Sequence, residues 1–190
     1  MWALFPLGTV FVHIDETRPG TLAHLATAAL YWLMAVVPLP LLLAGLAALH
    51  VSYRRAYGRP GNIGFLVSFF ALALMLIGNA VEVASLTFSG SESSVGHSAF
   101  LIGFLLLLIG SALLGIALIR TRHDPASRAG GLVLVAALPL GILLAVVLGA
   151  LAPGTDLGFW AAIAMPYGVA WVVLGRALGS EPSGQPARVT

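Results

Sequence analysis

Cysteine is missing from the 190 residues, lysine is missing, and charged residues of all kinds make up only 8%. Each absence excludes some chemistry. Without cysteine there are no disulfides, thiolate metal sites, thioether-linked haem or dithiol redox pairs, so metal or redox chemistry would fall to histidine and carboxylates. Nine arginines against seven acids leave a formal charge of +2, but a balance resting on so few groups is not a nucleic-acid footprint, which needs basic residues clustered on one solvated face. A soluble domain carries about a quarter charged residues, so this chain lacks the polar surface to clothe a water-soluble globule of its size. Catalytic signatures are missing as well: there is no glycine-rich phosphate loop, no Gly-x-Ser-x-Gly elbow, no His-Glu-x-x-His and no paired Asp motif.

What is present is apolar. Hydrophobic residues make up 59% of the chain, and the mean hydropathy is +1.02. A helix needs about 20 apolar residues to cross about 30 Å of hydrocarbon. Five stretches meet or approach that length: 21–49, 63–88, 97–119, 132–152 and 157–175. The expected fold is therefore an all-α membrane bundle of five full spans, a single domain over residues 1–178, with a disordered polar tail over 179–190 (GSEPSGQPARVT). A further apolar segment, Met1 to Ile14, is short for a span and carries Pro6 and Gly8. It lacks the basic n-region and cleavage site of a secretory signal. It is either an interfacial segment or a sixth span whose beginning lies upstream.

The arginines orient this bundle. Arg54, Arg55 and Arg59 lie between the first and second spans, Arg120, Arg122 and Arg128 between the third and fourth, and Arg176 and Arg188 after the fifth; Arg18 alone falls on the other side. The positive-inside rule places the arginine-rich loops and the C-terminus in the cytoplasm of a cell (inner or plasma) membrane, with Asp15, Glu16, Glu92 and Asp156 outside. Turn chemistry offers Asn62 as N-cap of the second span after Pro60-Gly61, and Asp124-Pro125 as a cap and first turn before the fourth.

Lipid supplies no hydrophobic drive between helices, so they associate through small residues and a few hydrogen bonds. Candidate contact stripes are Gly141, Ala145 and Gly149 in the fourth span, Ser111 and Gly115 with Gly103 and Gly110 in the third, and Ala164 and Gly168 in the fifth. Pro38 and Pro40, Pro139 and Pro166 interrupt three of the spans. They either kink helices that pack round a curved bundle or break them open around a substrate.

Few side chains are left to carry chemistry. Glu82 is the one ionisable residue well inside an apolar segment, with Asn79 and Ser85 three residues either side on the same helical face. These three are the candidate ligand site, near the outer end of the second span. His13, His24 and His97 fall at the same end and, with carboxylates, offer a candidate metal site. No histidine pair sits at matching mid-span depth to clamp a haem, and no cofactor is expected.

The span, the hinge Ile-Arg-Thr-Arg-His-Asp-Pro-Ala-Ser-Arg-Ala-Gly-Gly (Ile119 to Gly131) and the Leu/Val/Gly-rich span that follows resemble small bacterial multi-pass proteins classed as domains of unknown function. The all-arginine, alanine- and leucine-rich usage fits a high-GC bacterial genome. The resemblance implies a membrane bundle but brings no catalytic residues, and the short N-terminal segment departs from its layout. Three functions follow as expectations. The first is a non-enzymatic accessory, scaffold or partner-binding membrane subunit, with the lipid bilayer and either further copies or other membrane subunits as partners. The second is a transporter or binder of a small ion or lipid-like ligand around Glu82. The third is a metal- or haem-dependent enzyme using the outer histidines.

Overall fold

The structure, a computed structural model, describes residues 17–121, 125–151 and 157–179. Five long helices account for nearly all of them, and no strand occurs among the described residues. They are α1 (Leu22–Tyr53), α2 (Gly58–Ser89), α3 (Ser94–Thr121), α4 (Pro125–Leu151) and α5 (Leu157–Gly179). Among the described residues four helices are long and apolar enough to cross a membrane: α1, α2, α3 and the Ser127–Leu151 part of α4. The segment Met1 to Ile14, the tail beyond Gly179, and Asp124 lie outside the described residues.

The helices run past the apolar stretches that announce them. Asn62 is not a cap: α2 begins at Gly58, with Tyr57 at the N-cap position and Gly58 at a φ of 61°. Pro60 falls in the first turn, where its missing N–H would have had no helical partner, so it costs the helix nothing. Pro125 likewise opens α4, which continues unbroken to Leu151. At α1, Thr21 accepts a hydrogen bond from the His24 amide through its hydroxyl, which caps the N-terminus.

The break in α1 has a specific cause. Residues Trp32–Val36 form a π-helical turn between α-helical Leu22–Tyr31 and Pro38–Tyr53, and the Val37 amide donates five residues back to the Trp32 carbonyl. Pro38 and Pro40, which follow this turn, have no N–H to give to the carbonyls behind them. Asn79 of α2 donates to the Ala35 carbonyl of the turn, Nδ2 to oxygen at 3.0 Å. A neighbouring helix thus supplies a donor at the interrupted turn, as membrane helices require.

Neighbouring helices run antiparallel, up and down. Their tightest seam joins α2 and α3. Gly64, Ser68, Ala71, Met75, Gly78 and Glu82 recur at steps of four and three, and so do Gly96, Phe100, Gly103, Leu107, Gly110 and Leu114 facing them. Steps of four and three keep one seam in contact along a left-handed pair. The contact is backbone to backbone: a Cβ added at Gly64 would lie 2.6 Å from the Leu114 nitrogen, and one at Gly78 would lie 2.6 Å from the Phe100 nitrogen. A second glycine contact, Gly115 with Gly131, brings α3 to α4, and Gly130 lies under the Leu174 side chain of α5.

The expected stripes are therefore redistributed. Gly103 and Gly110 face α2, whereas Gly115 faces α4. In α4 the described contacts near the start are made by Gly130, Gly131, Leu134 and Ala137, and Gly141 of the expected stripe is buried, while a Cβ added at Gly149 would have no described atom within 4 Å. The second half of α4 exposes Ile142, Leu143, Val146 and Val147. Ala164 lies outside the described side chains, and Pro166 is buried while Pro139 is exposed. Large apolar side chains are exposed all along the bundle, among them Leu66, Phe70 and Ile77 of α2 and Ile102, Leu105 and Ile109 of α3.

Candidate functional site

The alternation of the helices sorts the polar residues by end. The α2–α3 turn, the start of α1 and the residues before it make one end; the α1–α2 turn, the end of α3, the start of α4 and the end of α5 make the other. All of Glu82, Asn79, Ser85, His24 and His97 lie toward the first end.

Gly90, at a φ of 66°, ends α2 with its amide on the Leu86 carbonyl, a left-handed conformation that other residues adopt at a cost. The chain then turns through Ser91 to Ser93, whose hydroxyl accepts from the Gly96 amide and whose carbonyl accepts from the His97 amide. Gly96 comes so close to α2 that an added Cβ would lie 2.8 Å from the Glu82 nitrogen. That approach sets His97, the next residue, beside Glu82: the ring Nδ1–H donates to Oε1 at 3.1 Å. The carboxylate side is 16% exposed and the imidazole 45%. This is the one ion pair among the described residues.

Glu82 and His97, assigned by sequence to different candidate sites, are thus partners. The residues expected to join Glu82 go elsewhere. Asn79 is 7% exposed and is spent on the Ala35 carbonyl of α1. Ser85 donates to the Ser91 carbonyl at 2.8 Å and meets the Ser89 hydroxyl at 3.2 Å, so it closes the α2–α3 turn. Three residues on one helical face therefore serve three structural neighbours: α1, α3 and the turn.

His24 is 1% exposed and has both ring nitrogens engaged. A carbonyl can only accept, so Nε2–H donates to the Thr87 carbonyl at 3.1 Å, and in the neutral ring Nδ1 accepts from the Thr17 hydroxyl at 3.0 Å. It pins the start of α1 to the end of α2. Among the described residues no group of three or more His, Asp or Glu side chains could hold a metal ion, and His13 lies outside them.

At the opposite end the structure assembles a cluster that sequence patterns did not reveal. His50 stacks on Phe65, with ring centroids 3.8 Å apart and 18° between planes, and its Nδ1 is hydrogen-bonded to the Tyr57 hydroxyl at 2.5 Å. The Tyr57 ring lies over Gly61, where any larger residue would collide with it. Burial pushes the Tyr57 phenol up to about 12, because the charged form has lost its water. Farther along, Tyr167 of α5 is buried, hydrogen-bonds Ser111 of α3, and meets Phe104 edge-on at 6.5 Å. The usable signal in the sequence was Tyr57 and Tyr167 each beside a glycine, which is a weak one.

Chemically, the Glu82–His97 pair can exchange a proton or accept a cation or a polar group from the imidazole side. The other polar groups named here join helices. No protein family, characterised relative or solved structure matches the chain.

Proposed function

We propose that this is a five-span integral membrane protein of the cell membrane, with its arginine-bearing end in the cytoplasm, acting as an accessory or scaffold subunit without catalytic activity of its own. The observation that carries the reading is how the chain distributes polarity. Large apolar side chains point outward along helices of spanning length, while buried Asn79 and His24 are consumed in bonds that hold the helices to one another, and Ser68 alone among the described buried side chains has no partner. Such a surface is stable in hydrocarbon and would aggregate in water. The fifth span is α5, antiparallel to α4 across the Gly130–Leu174 contact. Partners would be lipid and either further copies or other membrane subunits meeting the exposed second half of α4.

Extraction and co-purification test this. The chain should stay in membranes washed with alkaline carbonate and leave mild detergent in a complex with a defined partner or with itself. A chain that elutes alone as a monomer contradicts the scaffold reading.

A second reading rests on the Glu82–His97 pair: a site for a proton, small cation or polar headgroup at the outer end, favoured by an imidazole nearly half exposed above a mostly buried carboxylate. Under it, Glu82→Gln abolishes binding or uptake; unchanged activity removes it.

A further inference from the structure

The arginines supply the further inference, which rests on the membrane reading above. Arg54, Arg55, Arg59, Arg120, Arg128 and Arg176 are all exposed. The up-and-down order of the helices brings all six to one end, from the ends of all five helices and the turn between α1 and α2. None is in an ion pair with a described residue, and no described acid lies at that end; Glu82 and Glu92 are at the other. Three of the six are gathered further by glycine contacts. Arg120 follows Gly115, which touches Gly131 of α4; Arg128 precedes Gly130 and Gly131; and Arg176 follows Leu174, which covers Gly130. The ends of α3 and α4 thus meet at backbone distance and that of α5 joins them through the Leu174 side chain, with one guanidinium on each.

We propose that this arginine face binds the headgroups of anionic phospholipids in the leaflet it borders. Among the described residues this like-charged end has no carboxylate of its own, and anionic groups outside the chain can serve as its counterions. The groups sit at the last turns of helices of spanning length, which is headgroup depth, and a long side chain can snorkel outward from there. The choice of arginine fits the ligand: its planar fork pairs bidentately with phosphate oxygens and is more weakly hydrated than an ammonium. The basis is charge complementarity between six cations and an anionic surface, which attracts juxtamembrane basic residues within a Debye length.

The test uses the full chain reconstituted into phosphatidylcholine vesicles holding increasing fractions of brominated phosphatidylglycerol or brominated phosphatidylcholine. Tryptophan quenching reads the relative lipid affinity, and Trp171 lies five residues before Arg176 in α5. The expected preference for phosphatidylglycerol is about fivefold or more at low salt, collapsing in 0.5 M salt, because salt screens the attraction between arginines and an anionic surface. The variant R120Q/R128Q/R176Q should lose at least half of that preference. Helicity by circular dichroism confirms that it still folds, and the salt titration of the unaltered chain needs no variant. A smaller preference in the unaltered chain, one insensitive to salt, or one unchanged in the variant overturns the proposal. Carbonate washing separates the two readings: a chain that washes off defeats the membrane reading, whereas one that stays but shows no lipid preference defeats only this proposal.

Discussion

Asn79 and His97 mark two kinds of polar residue that look alike in a sequence. Asn79 is buried and bonded to the Ala35 carbonyl of the π-helical turn in α1, so its loss removes a buried bond between two helices. His97 is 45% exposed, and solvent screens its bond to Glu82. Asn79→Ala should therefore destabilise the bundle by about 0.6–2 kcal/mol, the range of interhelical hydrogen bonds in membranes. His97→Ala should cost less than about 1 kcal/mol. Reversible unfolding in mixed micelles, followed by circular dichroism, measures both. An Asn79 variant of unaltered stability would return that residue to the candidate ligand site. The sequence placed Glu82 and His97 at the same end by counting residues, but it could not pair them. Their contact depends on Gly96 lying against the α2 backbone, a fact of register between two helices rather than of either one.

Among the elements, the α2–α3 seam matters most. Its steps of four and three were present in the sequence at Gly64, Gly78, Gly96, Gly103 and Gly110, but the chain has 22 glycines, and that abundance made every stripe look alike. At Gly149, which seemed equivalent, an added Cβ would have no described atom within 4 Å. The two positions separate in an experiment. Gly78→Ala drives a methyl against the Phe100 backbone, which cannot step aside as a side chain could, and should cost about 1–3 kcal/mol. Gly149→Ala meets open space and should be neutral or stabilising by up to about 1 kcal/mol, through helix propensity. Thermal unfolding in detergent ranks the pair, and equal effects would mean that the seam is not what holds α2 to α3. The helices themselves were legible because a run of apolar residues of spanning length has few other uses. Their ends were not, because Pro60 reads as a breaker at any position except the first turn, where it happens to sit.

For the molecule as a whole, the charges of the described residues are divided by end. Six exposed arginines lie at one end of the described bundle, and Arg18, Glu92 and the Glu82–His97 pair lie at the other. That division was visible in the sequence as eight arginines against one, and the antiparallel order of the helices gives it spatial form. The central claim is that these ends lie on opposite sides of a membrane. The absence of cysteine makes the claim directly testable, since one introduced cysteine is the only thiol in the chain. Ala56 lies exposed in the α1–α2 turn and Ser91 lies exposed in the α2–α3 turn. A membrane-impermeant maleimide applied to intact cells should label Ser91→Cys and leave Ala56→Cys unlabelled until the membrane is permeabilised. Labelling of both from outside, or of Ala56→Cys alone, would contradict the account.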